Sequence, residues 1–483
     1  MKNLRENIEA LCITSTSTIR DALSLINREA LGFALLLDPV SGLFSGLVTD
    51  GDLRRALLNG FGLEHSVQVA ANTSPVTVGE NVPYEEIVHK FSEKIRIIPI
   101  ISSSGKVTDV AILDRKLRIP VAEPTMGETE LMYVSDCILT GWVSSAGKYV
   151  ELFEKKFASF CETKHAVSVS NGTAALHLAL VALGIGPGDE VIIPSLTFIS
   201  TANAVRYVGA DPVFVDSEKE TWNMDPEGVR QALTPRTKAI IPVHIYGHPV
   251  DMDPIMRIAS EKGIFVIEDA AEAHGALYKG RKVGSIGHMG TFSFYGNKII
   301  TTGEGGMIVT NSAEIDEKLR LYRDHGMSKT KRYWHEVLGF NYRLTNIQAA
   351  LGLAQLEKIE EIIEHKREMA SLYRSLLKDI PGLCFSPEME WAKCVYWMYC
   401  LIVDPEVFGM SRNQLADALR EKGVDTRPFF PPVHRQPIYN TDQTLPVCED
   451  LSASGINLPS SNSLKSEEVE QICRLIKEIS GGN

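Results

Sequence analysis

Between residues 165 and 311, short apolar runs alternate with stretches of helical periodicity, and few folds accommodate that alternation. HAVSVS leads into TAALHLALVALGI, EVIIP precedes a helix-like segment after Phe198, and DPVFVD, KAIIPV and GIFVIED follow in turn. Each strand is close to a continuous apolar run, the mark of a strand covered on both faces, and strands separated by helices pair in parallel. The prediction is a mainly parallel sheet with helices on both sides. In such sheets the ligand site lies beyond the carboxyl ends of the strands.

Several chemistry-bearing residues fall at or near those ends. After Ser170, the residues Asn171, Gly172 and Thr173 open a helix whose free N–H groups and dipole suit an anion. Gly172 lets the backbone approach closely and Thr173 adds a hydroxyl; an ordinary capped strand-to-helix turn reads the same way. Asp269 ends the apolar run 264–267, where a carboxylate is costly unless paired. A protonated ring nitrogen is one such partner and a helix N-cap another. Lys298 lies between an aromatic run (Phe292, Phe294, Tyr295) and a glycine-rich turn (Gly303, Gly305, Gly306). A desolvated lysine loses its proton and attacks aldehydes, whereas a solvated one stays an ammonium ion.

The first 120 residues are a repeat. Sliding the segment that starts at Ile13 sets Ile19 on Val82, residues 34–37 on 97–100 and Gly42 on Gly105. Each half reads as strand, helix, strand, strand and closing helix, an α/β unit whose two copies bury their sheets against each other. The first half carries GLVTDGDLRRALLNG, which resembles a CBS domain, a module that usually occurs in pairs and often binds adenine nucleotides. On that resemblance Thr49 and Asp52 would meet a ribose, and Arg54 and Arg55 would face phosphate. In the second half Thr49 falls on Ile112 and Asp52 on Arg115, so that repeat is degenerate and at most one nucleotide site is intact. A structural pair whose Arg-Arg helix start faces water fits the same residues. Residues 114–128, with two prolines and no periodicity, read as a linker.

At 483 residues the chain is long enough for two or three domains, and its 44% hydrophobic and 23% charged residues are those of an ordinary soluble protein. A net charge of −12 argues against non-specific nucleic-acid binding. Eight cysteines without a CxxC pair or metal-type spacing are expected to be reduced thiols, with no metal site. The amino terminus lacks an apolar signal core and no apolar run approaches membrane length, so the expectation is a cytoplasmic protein. Residues 345–380 read as one long bridging helix leading into a small domain that begins near Pro381. In TRPFFPPVHRQPIY, Thr426 to Tyr439, four prolines preclude regular structure, and Arg427 and His434 are either substrate contacts or packed loop residues.

From residue 120 onward the strings GWVSSAGKYV, VSNGTAALHLAL, IEDAAEAHGA, TFSFYGNKIITTGEGGM, KRYWHEVLGFNYRLTNIQAALGLAQLE and RPFFPPVHRQPIY are similar to those of the DegT/DnrJ/EryC1/StrS sugar aminotransferases. The resemblance implies the aspartate aminotransferase-like fold (fold type I) and pyridoxal 5'-phosphate as cofactor. Together with the CBS resemblance it divides the chain into a CBS pair over 1–118, a cofactor-binding large domain over 119–373 and a small domain over 374–483. Lys298 would hold the cofactor covalently and Asp269 would pair with its ring nitrogen. Glu272 would lie near its ring hydroxyl and Phe198 would stack on its ring. Gly172, Thr173 and Ser293 would hold its phosphate, and Asn341 would reach the phosphate from a neighbouring subunit, implying a homodimer or larger assembly. Related sugar dehydratases carry His where Lys298 stands, so lysine favours amino transfer. The implied donor is L-glutamate and the acceptor a nucleotide-linked 4-keto-6-deoxyhexose destined for surface polysaccharide. Thr291, Phe292, Glu304 and RYWHEV favour a GDP-linked mannose derivative over a UDP-linked sugar of the bacillosamine or legionaminic acid type. A reading of another class is a nucleotide sensor reporting through a silent fold, which the intact Lys298, Asp269 and Asn341 argue against.

Overall fold

Two short apolar hairpins organise the amino-terminal unit, Met1–Leu117, of the computed structural model, which describes residues 4–29, 31–80, 82, 83, 86, 87, 90–92, 95–112 and 119–481. In the first half β1 (Cys12–Thr14) runs parallel to β2 (Phe33–Leu37), and β2 antiparallel to β3 (Phe44–Thr49). Helix α1 (Ile19–Glu29) joins the first two strands and α2 (Asp50–Leu58) follows the third. The second half repeats the strand pattern with β4 (Val78–Gly79), β5 (Ile97–Ile101) and β6 (Val107–Ile112). Its expected helix over 82–91 lies partly outside the described residues, as do Arg115 and the start of the expected linker over 114–128.

The register corrects one expectation. Phe33 pairs with Thr49 and Ile97 with Ile112, so Ala34 corresponds to Ile98 and not to Ile97. The cause is the hairpin turn, residues 38–43 in the first half and 102–106 in the second, one residue shorter. A slip of one residue moves every side chain to the other face of a strand, and the faces here differ. Phe33, Leu35 and Ile97 pack in one cluster with Leu47 and Val110, drawn from both halves, whereas Ala34 and Leu36, and separately Ile98 and Ile100, line the core of their own half.

The second unit, Arg118–Asn483, is built on a seven-stranded sheet. Helices α3 (Glu128–Thr140) and α4 (Lys148–Phe160) precede β7 (His165–Val169), which is followed by α5 (Gly172–Ala182), β8 (Glu190–Pro194), α6 (Ser200–Tyr207), β9 (Asp211–Val215), β10 (Thr237–Ile240), β11 (Phe265–Asp269), β12 (Met289–Ser293) and β13 (Gly306–Thr310). The strand order is β7-β13-β12-β11-β10-β8-β9, and β13 runs antiparallel to both its neighbours while the other pairs are parallel. Alternate residues feed opposite faces: Ile192, Ile240 and Val266 enter one core, and Val191, Ile193, Ala239 and Ile267 the other. A sheet apolar on both faces has to be covered by helices on both.

The expected single helix over 345–380 is two, α7 (Asn346–Leu356) and α8 (Ile359–Leu377), separated at Lys358, whose φ is −118°. The second helix spans two cores, its first turns with Ile359 and Ile363 sharing the core of α7. Helix α7 packs with Phe153 and Phe157 of α4, whereas Ala370, Tyr373 and Leu377 of α8 belong to the core of a small antiparallel sheet. The Lys358 amine at the break pairs with Glu130 of α3, a buried carboxylate that also accepts from Gln355 and from the Gly127 amide. The small sheet has β14 (Leu383–Phe385), β15 (Tyr399–Val403), β16 (Arg427–Pro428) and β17 (Gly455–Leu458) in the order β14-β15-β17-β16. Among the described residues no helix is long and apolar enough to cross a membrane and no acid, histidine and cysteine cluster suits a metal.

Leu35 touches residues of both halves of the amino-terminal unit, so Leu35→Ala is expected to destabilise them together by about 2–5 kcal/mol. Hydrogen exchange of the full chain measures this as equal loss of protection in β2 and β5; protection lost from β2 alone contradicts it.

Candidate active site

The carboxyl ends of β7, β11 and β12 open into a cavity of about 610 Å³ lined by Gly172, Thr173, Phe198, Asp269, Glu272, Ser293 and Lys298. Seven of the eight residues expected at one site therefore share one pocket. Asn341, the eighth, is exposed and outside it, its Oδ1 accepting from Arg343 Nε at 3.2 Å, while the adjoining Tyr342 lines the wall.

The anion cup follows from glycine. The Asn171 side chain caps α5 by accepting from the Ala174 amide at 2.8 Å, leaving earlier amides of the first turn facing outward. A Cβ on Gly172 would lie 2.8 Å from the Ser293 Cβ, and one on Gly306 would lie 2.5 Å from the Asn171 carbonyl oxygen. Only a turn without side chains at these points fits between β12 and β13. The Ser293 hydroxyl accepts from the Tyr295 amide at 3.3 Å and closes the cup.

Asp269 terminates β11 and is buried. Its Oδ2 accepts from Thr201 Oγ1 of α6 at 2.8 Å and its Oδ1 from the Ala271 amide at 3.2 Å. Among the described residues no cation lies within ion-pair distance, and burial pushes its carboxyl above the usual range against the pull of those hydrogen bonds. The strand end is fixed by the preceding residue. Glu268, facing the other way, accepts from the Gly284, Ile286 and Gly287 amides at 2.6–2.7 Å and meets His244 Nε2 at 3.1 Å.

Lys298 follows the turn after Tyr295, and its side chain is 11% exposed. Its Nζ is 3.6 Å from Glu272 Oε1 and 3.8 Å from the centroid of the Trp397 ring. Burial pushes the lysine below its ordinary pKa, against the attraction of Glu272 and Asp269, and raises Glu272 to about 7. Each member of the pair is thus drawn toward its neutral form, which is how burial acts on acids and bases. Glu272 Oε2 also accepts from the Tyr246 amide at 2.8 Å. Tyr246 holds φ at +51°, a conformation side chains seldom adopt and one that concentrates at functional sites.

Sequence reasoning missed Trp397, Thr201 and Tyr246. Trp397 lies in VYWMYCLIVD, which reads as a strand and nothing more; its indole Nε1 donates to the Asn297 carbonyl at 2.8 Å, which turns its ring over the lysine. The half-exposed ring of Phe198 meets Phe430 at 5.8 Å, and Phe430 donates its amide to the Tyr246 hydroxyl at 3.0 Å. His434, open between substrate contact and packing, is fully buried, with Nδ1 2.6 Å from Ser195 Oγ and Nε2 3.0 Å from Glu449 Oε1. It packs the loop and does not face the cavity. Arg427 is exposed and likewise outside the lining.

In the amino-terminal unit Thr49 and Asp52 cap α2 against each other. Thr49 Oγ1 and N donate to Asp52 Oδ2 at 2.6 and 2.9 Å, and the Asp52 amide donates back to Thr49 Oγ1 at 3.2 Å. Arg55 pairs with Asp52 and Arg54 with Asp50.

A model of the DegT/DnrJ/EryC1/StrS aminotransferase family matches residues 124–477, leaving the amino-terminal unit outside. A GDP-perosamine synthase of Escherichia coli O157:H7 is 46% identical over 362 residues, 75% of this chain and 98% of that protein. One from Caulobacter vibrioides is 46% identical over 366 residues, with the same coverage. The crystal structure of DesV from S. venezuelae matches with a TM-score of 0.69 and 36% identity, covering 73% of this chain and 94% of that one. By the extent of these matches the chain belongs to the DegT/DnrJ/EryC1/StrS aminotransferase family, and is a pyridoxal phosphate-dependent enzyme.

Proposed function

We propose that the chain transfers the amino group of L-glutamate to C4 of GDP-linked 4-keto-6-deoxymannose, giving GDP-perosamine for surface polysaccharide, with Lys298 as the residue that binds the cofactor covalently. The observation that carries this is the secluded Lys298–Glu272 pair beneath Trp397, next to a buried Asp269 that has no ion-pair partner among the described residues. That donor set fits pyridoxal phosphate. A lysine of lowered pKa suits its aldehyde, Asp269 its ring nitrogen, Glu272 the ring hydroxyl and Phe198 the ring face. Gly172, Thr173 and Ser293 form a cradle for the phosphate in which a side chain at 172 has no room.

When bound, the cofactor is an electron sink that makes the substrate C–H acidic. The remaining work falls to the protein. Lys298 Nζ, released by the incoming amine, moves the proton between the substrate carbon and the cofactor, and burial favours the unprotonated amine that can accept that proton. Glu272 Oε1, poised near pH 7, takes the proton that Lys298 sheds. Asp269 becomes a full carboxylate once a ring cation lies against it. The same groups serve the return half-reaction, in which the amine adds to the sugar ketone.

The GDP-sugar assignment is supported by two GDP-perosamine synthases at 46% identity. Asn341, exposed and outside its own cavity, supports a homodimer in which it reaches the partner's phosphate cradle. We place the domains at 1–118, 119–373 and 374–483. The strand–helix–strand–strand halves of the first unit support a CBS pair with one purine nucleotide site at Thr49 and Asp52. A nucleotide there would have to displace the capping interactions these two side chains make with each other.

Lys298→Ala is expected to lack the yellow cofactor absorbance and turnover; retained activity overturns the role of this residue. In turnover assays GDP-4-keto-6-deoxymannose should be preferred over UDP-linked 4-keto sugars by at least roughly 100-fold, the discrimination a site shaped to one set of polar groups delivers, and the reverse preference refutes the GDP assignment. Calorimetric titration with AMP, ATP and GDP should give heat with at least one of them, lost in Asp52→Ala; no heat with any ends the nucleotide proposal.

A further inference from the structure

Lys366, on α8, is a buried cation with no carboxylate beside it. It is 6% exposed, and among the described residues no acid comes within ion-pair distance. Burial alone pushes its pKa down to about 7. An unpaired ionisable group inside a protein is costly, and leucine or methionine would pack this helix face without that cost. The hydrogen bonds of Lys366 show what the amine supplies instead. Its Nζ donates to the Ser460 carbonyl at 2.6 Å and to the Trp397 carbonyl at 3.2 Å, tying together two segments that enter from different parts of the small domain. His365, one residue earlier, meets the Leu464 carbonyl at 2.9 Å and holds the same second segment.

Both tied segments end on the peptide that carries Lys298. Trp397 Nε1 donates to the Asn297 carbonyl at 2.8 Å, and Asn462 Nδ2 donates to the Ile299 carbonyl at 2.9 Å. The residues on either side of Lys298 are therefore gripped by one donor from each segment; the two segments flank the paired strands β15 and β17, where the Tyr399 amide donates to Ser460 Oγ at 2.7 Å, and Lys366 adds a side-chain tie just beyond that pairing. The Trp397 ring, set by the same grip, lies over the Lys298 amine.

We propose that Lys366 is a positioning residue for Lys298, the side-chain tie that extends the β15–β17 junction to residues 397 and 460–462 so that they grip residues 297 and 299 and keep the indole over the reactive amine. The inference rests on the role given to Lys298 above.

Lys366→Met in the full-length holoenzyme keeps the methylene packing and deletes the donors. The expected kcat is lower by about 10- to 100-fold, the scale of an ångström-level misplacement, with KM for glutamate little changed. The pH midpoint of the cofactor's visible absorbance should fall by about one unit, because the cation at 298 loses the ring face. In a Trp397→Phe background, which removes the indole N–H and shrinks the ring over Lys298, Lys366→Met should add less than its own effect, since both changes act on one grip. A folded Lys366→Met holoenzyme with the parent's kcat and midpoint overturns the proposal, as does simple additivity with Trp397→Phe. If Lys366→Met does not accumulate as folded protein, Lys366→Gln, whose amide reaches one carbonyl, carries the same two outcomes. Failure of the underlying role of Lys298 is distinguishable, because Lys298→Ala would then keep the visible band, whereas failure of the tie alone leaves that band lost in Lys298→Ala and unmoved in Lys366→Met.

Discussion

Keeping an amine out of water at the end of a parallel sheet is the constraint from which the rest of the site follows. An ammonium ion held 11% exposed is costly unless an acid or a proton transfer relieves it, and the tryptophan face above it offsets part of that cost. Glu272 provides that relief at 3.6 Å, and the shift of its pKa to about 7 is the other side of the same burial. Glu272 in turn needs the Tyr246 amide, and that amide points inward because Tyr246 adopts a left-handed backbone conformation. The strain at 246 is tolerated because its ring is stacked on Trp397 and Phe430 and its hydroxyl accepts the Phe430 amide. The chemistry at Lys298 thus depends on aromatic packing contributed by Trp397 and Phe430, far along the sequence.

That dependence explains which parts of the site were legible in the sequence. Gly172, Asp269 and Lys298 were readable because each acts from a strand end or a tight turn, where a local pattern of apolar run, turn residue and charge carries the meaning. Trp397, Asn462 and Lys366 act across long sequence separations, and their partners are main-chain carbonyls, which leave no trace in residue identity. Nothing local separates a tryptophan that covers a lysine from one that fills a strand. His434 shows the converse. A histidine in a proline-rich loop near an active site reads as a ligand, yet its two ring nitrogens are taken by Ser195 and Glu449, brought in from either side in the sequence.

The fold was legible at the level of layers and less so at the level of register. Continuous apolar strands required helices on both faces, and the alternation of Ile192 with Val191 and Ile193 between two cores is that requirement met. The break at Lys358 was hidden because helical periodicity continues through it; Ile359 and Ile363 beyond the break still share the core of α7, α8 then runs on to the core of the small sheet, and the buried Glu130 takes up the lysine at the joint. In the amino-terminal repeat the turn glycines Gly42 and Gly105 aligned while the strands before them did not, since a turn shortened by one residue preserves its glycine and shifts everything upstream.

The same logic bears on how the two halves of that unit diverged. Phe33, Leu35 and Ile97 share one cluster, so this face of each half is constrained by the other. The helix start at 49–52 is not so constrained, because Thr49 and Asp52 satisfy each other and their helix without help from the second half. Residue 112, which occupies the place of Thr49, is an isoleucine packed at the edge of the shared cluster. The shared apolar face is thus held by both halves, whereas the polar residues at 49 and 52 are matched by Ile112 and Arg115 in the sequence of the second.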